Sequence, residues 1–311
     1  MAGILCSGNI VYDILVRPVD KIEWGTTTWV EDLERHIGGN GANTSYAAAT
    51  LGARVRLQGM VGSDSFGTEL LAILSGAQVD VSLVERSAEP TATTVALVQS
   101  DGSRSFLHRP GASREAFLQT IDFAPHVLDG LSRYHMANPF SLPGLRSHAA
   151  AILQRARTAG LRTSLDTGWD ARGEWMRMLE PCLPHVDLLF ANEDEGRMLT
   201  GETDASAMAA ALRSRGGRTV VLKLGARGCM LFIGNDALHI PAFAVHAVDT
   251  TGAGDCFAGG FLAALELGYS FPDAARLANA AGALSIQKLG AISGLRDLQA
   301  TREWMESQVP S

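Results

Sequence analysis

The sequence predicts an α/β fold in which a mostly parallel central sheet is covered by helices on both faces. From about residue 130 onward, short apolar runs alternate with segments of helical periodicity, and polar or glycine-bearing turns separate them. Strands that alternate with helices form βαβ units, whose parallel sheets are buried on both sides. The 311 residues, 46% of them apolar, suffice for one large domain with a full core.

The predicted elements follow one another along this region. The strands are Tyr134–Ala137, Leu161–Leu165, Val186–Ala191 and Thr219–Leu224. The helices are Leu145–Thr158 and the two segments rich in alanine and leucine, 256–268 and 272–288. Further upstream, Asn43–Leu51 also has helical spacing.

Two segments do not follow the βαβ pattern. Residues 10–37 and 91–109 contain short alternating runs, and Asp101-Gly102 lies between two of them. Asp-Gly between alternating runs is a hairpin signal. We expect these segments to be insertions that pair into a small antiparallel sheet outside the main sheet, within a single domain of residues 1–311.

Composition excludes several classes of protein. The net charge of −7 and the pI near 5.6 argue against a nucleic-acid partner. Four cysteines without a CxxC pair favour reduced thiols over a disulfide framework. The first residues lack a signal-peptide pattern, and no apolar run approaches the roughly 18 residues of a membrane span. We therefore expect a cytoplasmic protein with no membrane partner.

Glycine is in excess and is unevenly distributed. Eleven of the 33 glycines lie in two segments, 38–67 and 252–260. Such clusters indicate either bare backbone that a ligand approaches closely or tight packing between helices.

The second glycine segment predicts an anion site. Phe257, Phe261 and Leu265 recur every four residues, so a helix should begin near Ala253 or Gly254. The free N–H groups of a helix N-terminus attract anions such as phosphate. Asp255 would lie in the first turn, where it either interacts favourably with the helix dipole or acts as a base beside a phosphate. The sequence has no GxxxxGK[ST] motif, and no GxGxxG motif follows a predicted strand.

Three motifs together resemble those of the ribokinase (pfkB) family of carbohydrate kinases. They are Gly38–Ser45 followed by Gly52 and Gly62, the run Asp249–Asp255, and the Asn-x-x-Glu motif at Asn192–Glu195. The resemblance extends from Gly8 to about Gly294. It implies a ribokinase-like α/β fold with a small β-sheet lid, formed here by the insertions at about 10–37 and 91–109. It also implies transfer of the γ-phosphoryl group of ATP to a sugar hydroxyl.

The resemblance assigns the catalytic and substrate residues. Asp255 matches the catalytic base, and the backbone of Gly252, Ala253 and Gly254 matches the anion hole. The residues assigned to the sugar are Asp13, Gly39, Asn40, Asn43, Arg109 and Asn138. Two of these have structural alternatives, since Asn43 could cap a helix and Arg109 could be a solvated turn residue.

Other matched residues point to cofactors. Asn192 and Glu195 match residues that organise Mg²⁺ near the phosphates, Glu195 through water, although Asn192 could simply be a helix N-cap. The residues assigned to ATP are Asn192, Lys223, Gly225, Gly228 and Asn279. Lys223 could equally be a surface lysine at a strand end. Asp249 and Thr251, with carbonyls near Lys288–Ser293, resemble a loop that binds a monovalent cation such as K⁺.

One motif departs from the family pattern. Several sugar-acid and fructose kinases carry Asp-x-Asn-x-Arg, where this chain has the run 166–172 with Gly168 and Asp170 at the Asn and Arg positions. Arg172 is a candidate replacement for the arginine. The departure argues against a 2-keto-3-deoxygluconate or fructose acceptor. The alternatives to a sugar kinase are a nucleoside kinase and a non-catalytic sugar- or nucleotide-binding regulator. For the assembly, we expect a homodimer formed through the lid.

Overall fold

The computed structural model describes residues 3–119 and 121–308, and these residues form two sheets and the helices around them. The strands are β1 (Gly3–Ser7), β2 (Val11–Arg17), β3 (Asp32–Gly38), β4 (Arg54–Gly62), β5 (Val79–Ser87), β6 (Thr93–Val98), β7 (Arg104–Arg109), β8 (Leu131–Ala137), β9 (Arg162–Asp166), β10 (Leu188–Asn192), β11 (Thr219–Lys223), β12 (Cys229–Ile233) and β13 (Asp236–Ile240). The helices are α1 (Asn40–Thr50), α2 (Ser65–Gly76), α3 (Pro125–Leu128), α4 (Pro143–Thr158), α5 (Met176–Leu179), α6 (Glu193–Thr200), α7 (Ala205–Ser214), α8 (Ala253–Glu266), α9 (Phe271–Ser285) and α10 (Leu298–Ser307).

The large sheet has the strand order β13-β12-β11-β10-β9-β8-β1-β4-β5. Its strands are parallel from β11 to β5, and β12 and β13 continue it antiparallel at one edge. Phe190 and Val221 belong to one hydrophobic core, on the face that carries α1, α8 and α9, whereas Leu189 and Val220 belong to the other, on the face that carries α4 and α7. Burial on both faces explains why these strands are continuous apolar runs in the sequence.

The predicted α/β class and its elements are confirmed. The four predicted strands correspond to β8, β9, β10 and β11, and the three predicted helices to α4, α8 and α9, each end within three residues of its expected position. The helix expected at Asn43–Leu51 begins at Asn40 instead, because Gly39 with φ of 92° is its N-terminal cap. The earlier start places both Asn40 and Asn43 in the first turn of α1.

The small sheet has the order β3-β2-β6-β7 and is built from the two segments that did not follow the βαβ pattern. The hairpin predicted at Asp101-Gly102 joins β6 to β7, with Gly102 at φ of 87°. The expectation of an antiparallel sheet holds only for the pairs β2–β3 and β6–β7, since β2 and β6 are parallel. The reason is that β2 follows β1 and β6 follows β5, and both of those strands leave the large sheet at the same edge.

This edge of the large sheet is where polar side chains collect. The parallel strands β1, β8, β9, β10 and β11 end there, at Ser7, Ala137, Asp166, Asn192 and Lys223. The small sheet emerges from the same edge, and α1 and α8 both begin there. Ligands of open α/β sheets bind outside the carboxyl ends of the strands. Among the described helices, none has the length and apolar character needed to cross a bilayer.

Candidate active site

Asp255 lies in the first turn of α8, which begins at Ala253 as expected, after Gly252 with φ of 71°. The side chain is 9% exposed. Its Oδ1 accepts a hydrogen bond from Asn40 Nδ2 at 2.7 Å, and its Oδ2 accepts one from Asn43 Nδ2 at 2.9 Å. Burial raises the pKa of Asp255 above its usual range, although the two amides and the charge of Lys223 oppose this shift.

The two amides reach Asp255 because α1 begins three residues earlier than its periodicity indicated. Asn43 is therefore inside the first turn of α1, and the interpretation of Asn43 as a cap is wrong. A third amide extends the network, since Asn138 Nδ2 donates to Asn40 Oδ1 at 3.2 Å. The carboxylate of Asp255 is thus held in one orientation by two side chains of α1, and one of these is itself fixed by Asn138 from the loop after β8.

A cavity of about 340 Å³ lies between Asp255 and the small sheet. Its lining includes four of the residues assigned to the sugar: Asp13, Gly39, Asn40 and Asn43. Asp13 is on β2, and burial raises the pKa of its carboxyl to about 6. The backbone of Gly38 passes so close to this carboxylate that a Cβ at position 38 would overlap with it.

Arg109 does not line this cavity. Its Nη2 donates to Thr91 O at 3.3 Å and to Thr93 Oγ1 at 3.2 Å. Side chains alternate between the two faces of a strand, so Arg104 and His108 of β7 point into the cavity while Arg109 points away. Sequence reasoning missed Arg104 and His108, and the alternation along β7 was the signal that could have found them.

Two further cavity residues were also missed, one on each side of the site. His36 of β3 lies against Gly290, where a Cβ would overlap with the imidazole. Asn9 follows β1, and its Oδ1 accepts a hydrogen bond from the backbone N–H of Asn40 at 2.9 Å. Neither residue stands out in the sequence, because its partner is distant along the chain.

The side chain of Lys223 at the end of β11 is only 13% exposed, so the alternative of a surface lysine is wrong. Its Nζ donates to both carboxylate oxygens of Asp166, at 2.7 and 2.9 Å. Burial works against the charged amine, but Asp166, Glu195 and Asp255 raise the pKa of Lys223 above its usual value. A Cβ at Gly254 would lie 3.1 Å from Lys223 Nζ. A fixed cation therefore sits beside the N-terminus of α8.

Asn192 and Glu195 form a capping box at the start of α6. Asn192 Oδ1 accepts from the backbone N–H of Glu195, and Glu195 Oε2 accepts from the backbone N–H of Asn192, both at 2.8 Å. Glu195 Oε2 also accepts from Thr167 Oγ1 at 2.8 Å. The N-cap interpretation of Asn192 is therefore correct. Because Oε2 already accepts two hydrogen bonds, a contact between Glu195 and the water shell of Mg²⁺ would use Oε1.

The residues assigned to the adenosine side join β11–β13 to α9. Asn279 Nδ2 donates to Ile240 O and Pro241 O, both at 3.0 Å, and Gly228 has φ of 90° in the turn before β12. Gly225 has φ of 58° in the same turn. A second cavity, of about 550 Å³, lies beside this turn, and Ala226 and Pro241 are among its lining residues. Gly225, Gly228 and Asn279 adjoin that cavity without lining it.

Arg172 was the candidate replacement for the arginine that the run 166–172 lacks relative to the Asp-x-Asn-x-Arg pattern. It is exposed. The loop around it is organised instead by Asp170, which accepts hydrogen bonds from the backbone N–H groups of Arg172, Glu174 and Trp175 and pairs with Arg146. Lys223, held by Asp166, the first residue of the same motif, is a cation beside the N-terminus of α8.

Comparison with known proteins identifies the family. A model described as pfkB family carbohydrate kinase matches residues 1–298. Ribokinase of Haemophilus influenzae is 30% identical over 96% of this chain and 97% of its own length, and fructokinase of Klebsiella pneumoniae is 32% identical over 83% and 88%. The solved structure of Arabidopsis thaliana ribokinase complexed with ribose and ATP covers 98% of this chain and 99% of its own, with a TM-score of 0.87 at 26% identity.

Fold, site and relatives together define a phosphotransferase that uses an alcohol group as acceptor and has a ribokinase-like fold. The chain belongs to the pfkB family of carbohydrate kinases.

Proposed function

We propose that this protein transfers the γ-phosphoryl group of ATP to a hydroxyl of a pentose or hexose, with Asp255 as the base. The observation that carries the proposal is the position of Asp255, which lies at the start of α8, is oriented by Asn40 and Asn43, and faces a cavity of about 340 Å³. A buried carboxylate with a raised pKa accepts a proton more readily than an exposed one.

The acceptor site would be the cavity between the two sheets. Asp13, Asn43 and Asn9 offer a carboxylate and amides, which suit the several hydroxyls of a sugar. Asn138 acts behind them, because it orients Asn40 and is not itself part of the cavity lining. As the acceptor hydroxyl attacks, its proton passes to Asp255.

Charge that develops on the transferred phosphoryl group would be stabilised by two features. The first is the N-terminus of α8, where the N–H groups of Gly252, Ala253 and Gly254 form the anion hole. The second is the amine of Lys223 next to Gly254. Both are fixed before the reaction, so little reorganisation is needed when the charge appears.

Mg²⁺ would enter the site with ATP, and Asn192 and Glu195 would contact its water shell. The ion supplies charge neutralisation at the phosphates. The turn at Gly225 and Gly228, with Asn279 behind it, would form the edge of the adenosine site.

The small sheet would act as a lid. Its strands supply Asp13, Thr94 and Phe106 to the cavity, so its closure would exclude water and favour transfer to sugar over hydrolysis. The sheet also exposes Leu33 and Leu107, at 62% and 61%, and a homodimer that covers them is part of the proposal.

The test is a panel of pentoses, hexoses, keto-sugar acids and nucleosides in which ADP release is measured with ATP and Mg²⁺. We expect a free sugar to give the highest kcat/KM. Asp255→Asn should lower kcat on that acceptor by roughly 10²–10⁴-fold and leave ATP binding, measured by calorimetry, within a few-fold of wild type. A nucleoside as best acceptor would move the protein to the nucleoside kinases, and full turnover by Asp255→Asn would refute the role of Asp255.

A further inference from the structure

Three donors of this chain hold the Asp249 carboxylate, two at Oδ1 and one at Oδ2. The side chain is 1% exposed. Its Oδ1 accepts from Arg104 Nη1 at 2.6 Å and from the backbone N–H of Thr251 at 2.9 Å, and its Oδ2 accepts from the backbone N–H of Gly290 at 2.9 Å. Burial opposes ionisation, but these donors hold the pKa of Asp249 below its usual range.

This arrangement does not fit the monovalent-cation loop that the resemblance implied. A cation bound by Asp249 and Thr251 needs their oxygens as ligands. Arg104 Nη1 donates both to Asp249 Oδ1 and to Thr251 Oγ1, the latter at 2.8 Å. The guanidinium thus occupies Asp249 Oδ1 and Thr251 Oγ1, and a K⁺ ion bound by these two oxygens would meet a fixed positive charge.

Arg104 comes from a different part of the fold than its partners. It is the first residue of β7 in the small sheet, directly after the Asp101-Gly102 hairpin, whereas Asp249 and Thr251 lead into Gly252 at the start of α8. The ion pair therefore connects the small sheet to the segment that opens the anion hole. Arg104 also lines the cavity, where Asp13, Asp249 and Asp255 are the carboxylates.

We propose that Arg104 is a positioning residue that supplies, as part of the chain, the positive charge expected from a monovalent cation at Asp249, and that phosphoryl transfer is consequently independent of K⁺. The proposal rests on the proposed kinase function. A guanidinium remains charged at every working pH and offers several donors in one plane, so it can hold a carboxylate and a hydroxyl together.

The experiment compares wild type, Arg104→Met and Arg104→Lys in KCl and in choline chloride at equal ionic strength. Turnover of the best acceptor and the thermal unfolding midpoint are both measured. Wild type should give the same kcat within about twofold and the same midpoint in both salts. Arg104→Met should lose at least tenfold in kcat in choline, and KCl should restore part of that loss and raise its midpoint, because the freed oxygens can then bind K⁺. Arg104→Lys should keep most of the choline activity.

Arg17→Met is the matched control. Arg17 pairs with Asp32 and Glu34 entirely within the small sheet, so the variant removes the same charge without touching the cavity, and its two midpoints should agree. A wild-type enzyme that KCl activates more than about fivefold would overturn the proposal. So would an Arg104→Met variant with wild-type turnover and a midpoint insensitive to K⁺. A failure of the kinase function itself would appear separately, as no acceptor phosphorylated, and the midpoints would still test Arg104.

Discussion

At the scale of single residues, the glycines of the two signature segments divide into two kinds. Some serve packing, since a Cβ at Gly41 would lie 2.7 Å from the backbone of Gly8, and a Cβ at Gly259 would lie 2.5 Å from Thr44 O. Gly254 is different, because the atoms near a Cβ there are Nζ and Cε, at the end of the Lys223 side chain, and not backbone. The two interpretations of the glycine clusters, close approach of a ligand and tight helix packing, thus apply to different glycines.

Gly254→Ala tests the bare backbone of the proposed anion hole. The added methyl group would point toward Lys223 Nζ, at 3.1 Å, and cover the N–H groups at the start of α8. We expect kcat/KM for ATP to fall at least tenfold while the thermal midpoint changes little, since the amine can shift by a few tenths of an ångström.

Gly76→Ala is the matched control for that variant. Gly76 ends α2, and a Cβ there would have no neighbour within 4 Å. Its activity should equal that of wild type, and its stability should be unchanged or slightly higher. A Gly254→Ala variant with wild-type kinetics would show that phosphate does not approach this position.

At the scale of elements, helix N-termini carry most of the site. α1 brings Asn40 and Asn43, α8 brings Asp255, and α6 begins with the capping box of Asn192 and Glu195. A capping residue at such a place can contribute separately to the stability of its helix and to the binding of a ligand.

Asn192→Ala separates these contributions. Loss of the cap should lower the free energy of unfolding by about 1 kcal/mol. The bond from the backbone N–H of Asn192 to Glu195 Oε2 does not depend on the side chain and should remain. If Asn192 also contacts the water shell of Mg²⁺, KM for MgATP should rise several-fold, which steady-state kinetics would detect.

Asp297→Ala provides the comparison for Asn192. Asp297 caps α10 in the same way, through its bond from the backbone N–H of Ala300 at 2.8 Å, and it lines neither cavity. It should lose a similar free energy of unfolding with unchanged KM. Equal KM values for both variants would leave Asn192 with a structural role only.

At the scale of the whole molecule, packing of the small sheet over the proposed site buries the carboxyl group of Asp13 and makes its ionised form less favourable. Asp13 lies between the two sheets, and burial raises the pKa of its carboxyl from 3.8 to about 6. The pKa of Asp13 is higher in the folded state than in the unfolded state. Its favourable contribution to the free energy of unfolding is therefore complete below about pH 4 and is lost as the pH rises through about 6. At neutral pH the charged Asp13 therefore destabilises the fold.

Asp13→Asn should consequently stabilise the protein in a pH-dependent way. We expect a gain of about 3 kcal/mol at pH 8, shrinking between pH 6 and pH 4 and absent below that, measured by thermal or denaturant unfolding at each pH. The same variant should raise KM for the sugar at least tenfold. A gain that does not vary between pH 4 and pH 8 would contradict the raised pKa of Asp13.

Much of the fold could be predicted from local pattern alone. The continuous apolar runs of β8–β11 and the spacing of Phe257, Phe261 and Leu265 are consequences of burial, so they are visible in the sequence. The parallel pairing of β2 with β6 was missed, because about 75 residues separate the two strands and the large sheet decides how they meet.

The sequence by itself determined the α/β class, the start of α8, the position of Asp255 in the first turn of that helix, and the motifs that indicate the family. Only the tertiary structure decided which side chains converge on the carboxylate of Asp255. Asn40 and Asn43 of α1 donate to Asp255, and Asn138 donates to Asn40. Lys223 turns inward to Asp166, and Arg104 reaches Asp249 from the small sheet. The physical reason is that a motif depends on the spacing of neighbouring residues, whereas the partner of a charged side chain depends on how elements far apart along the chain pack together.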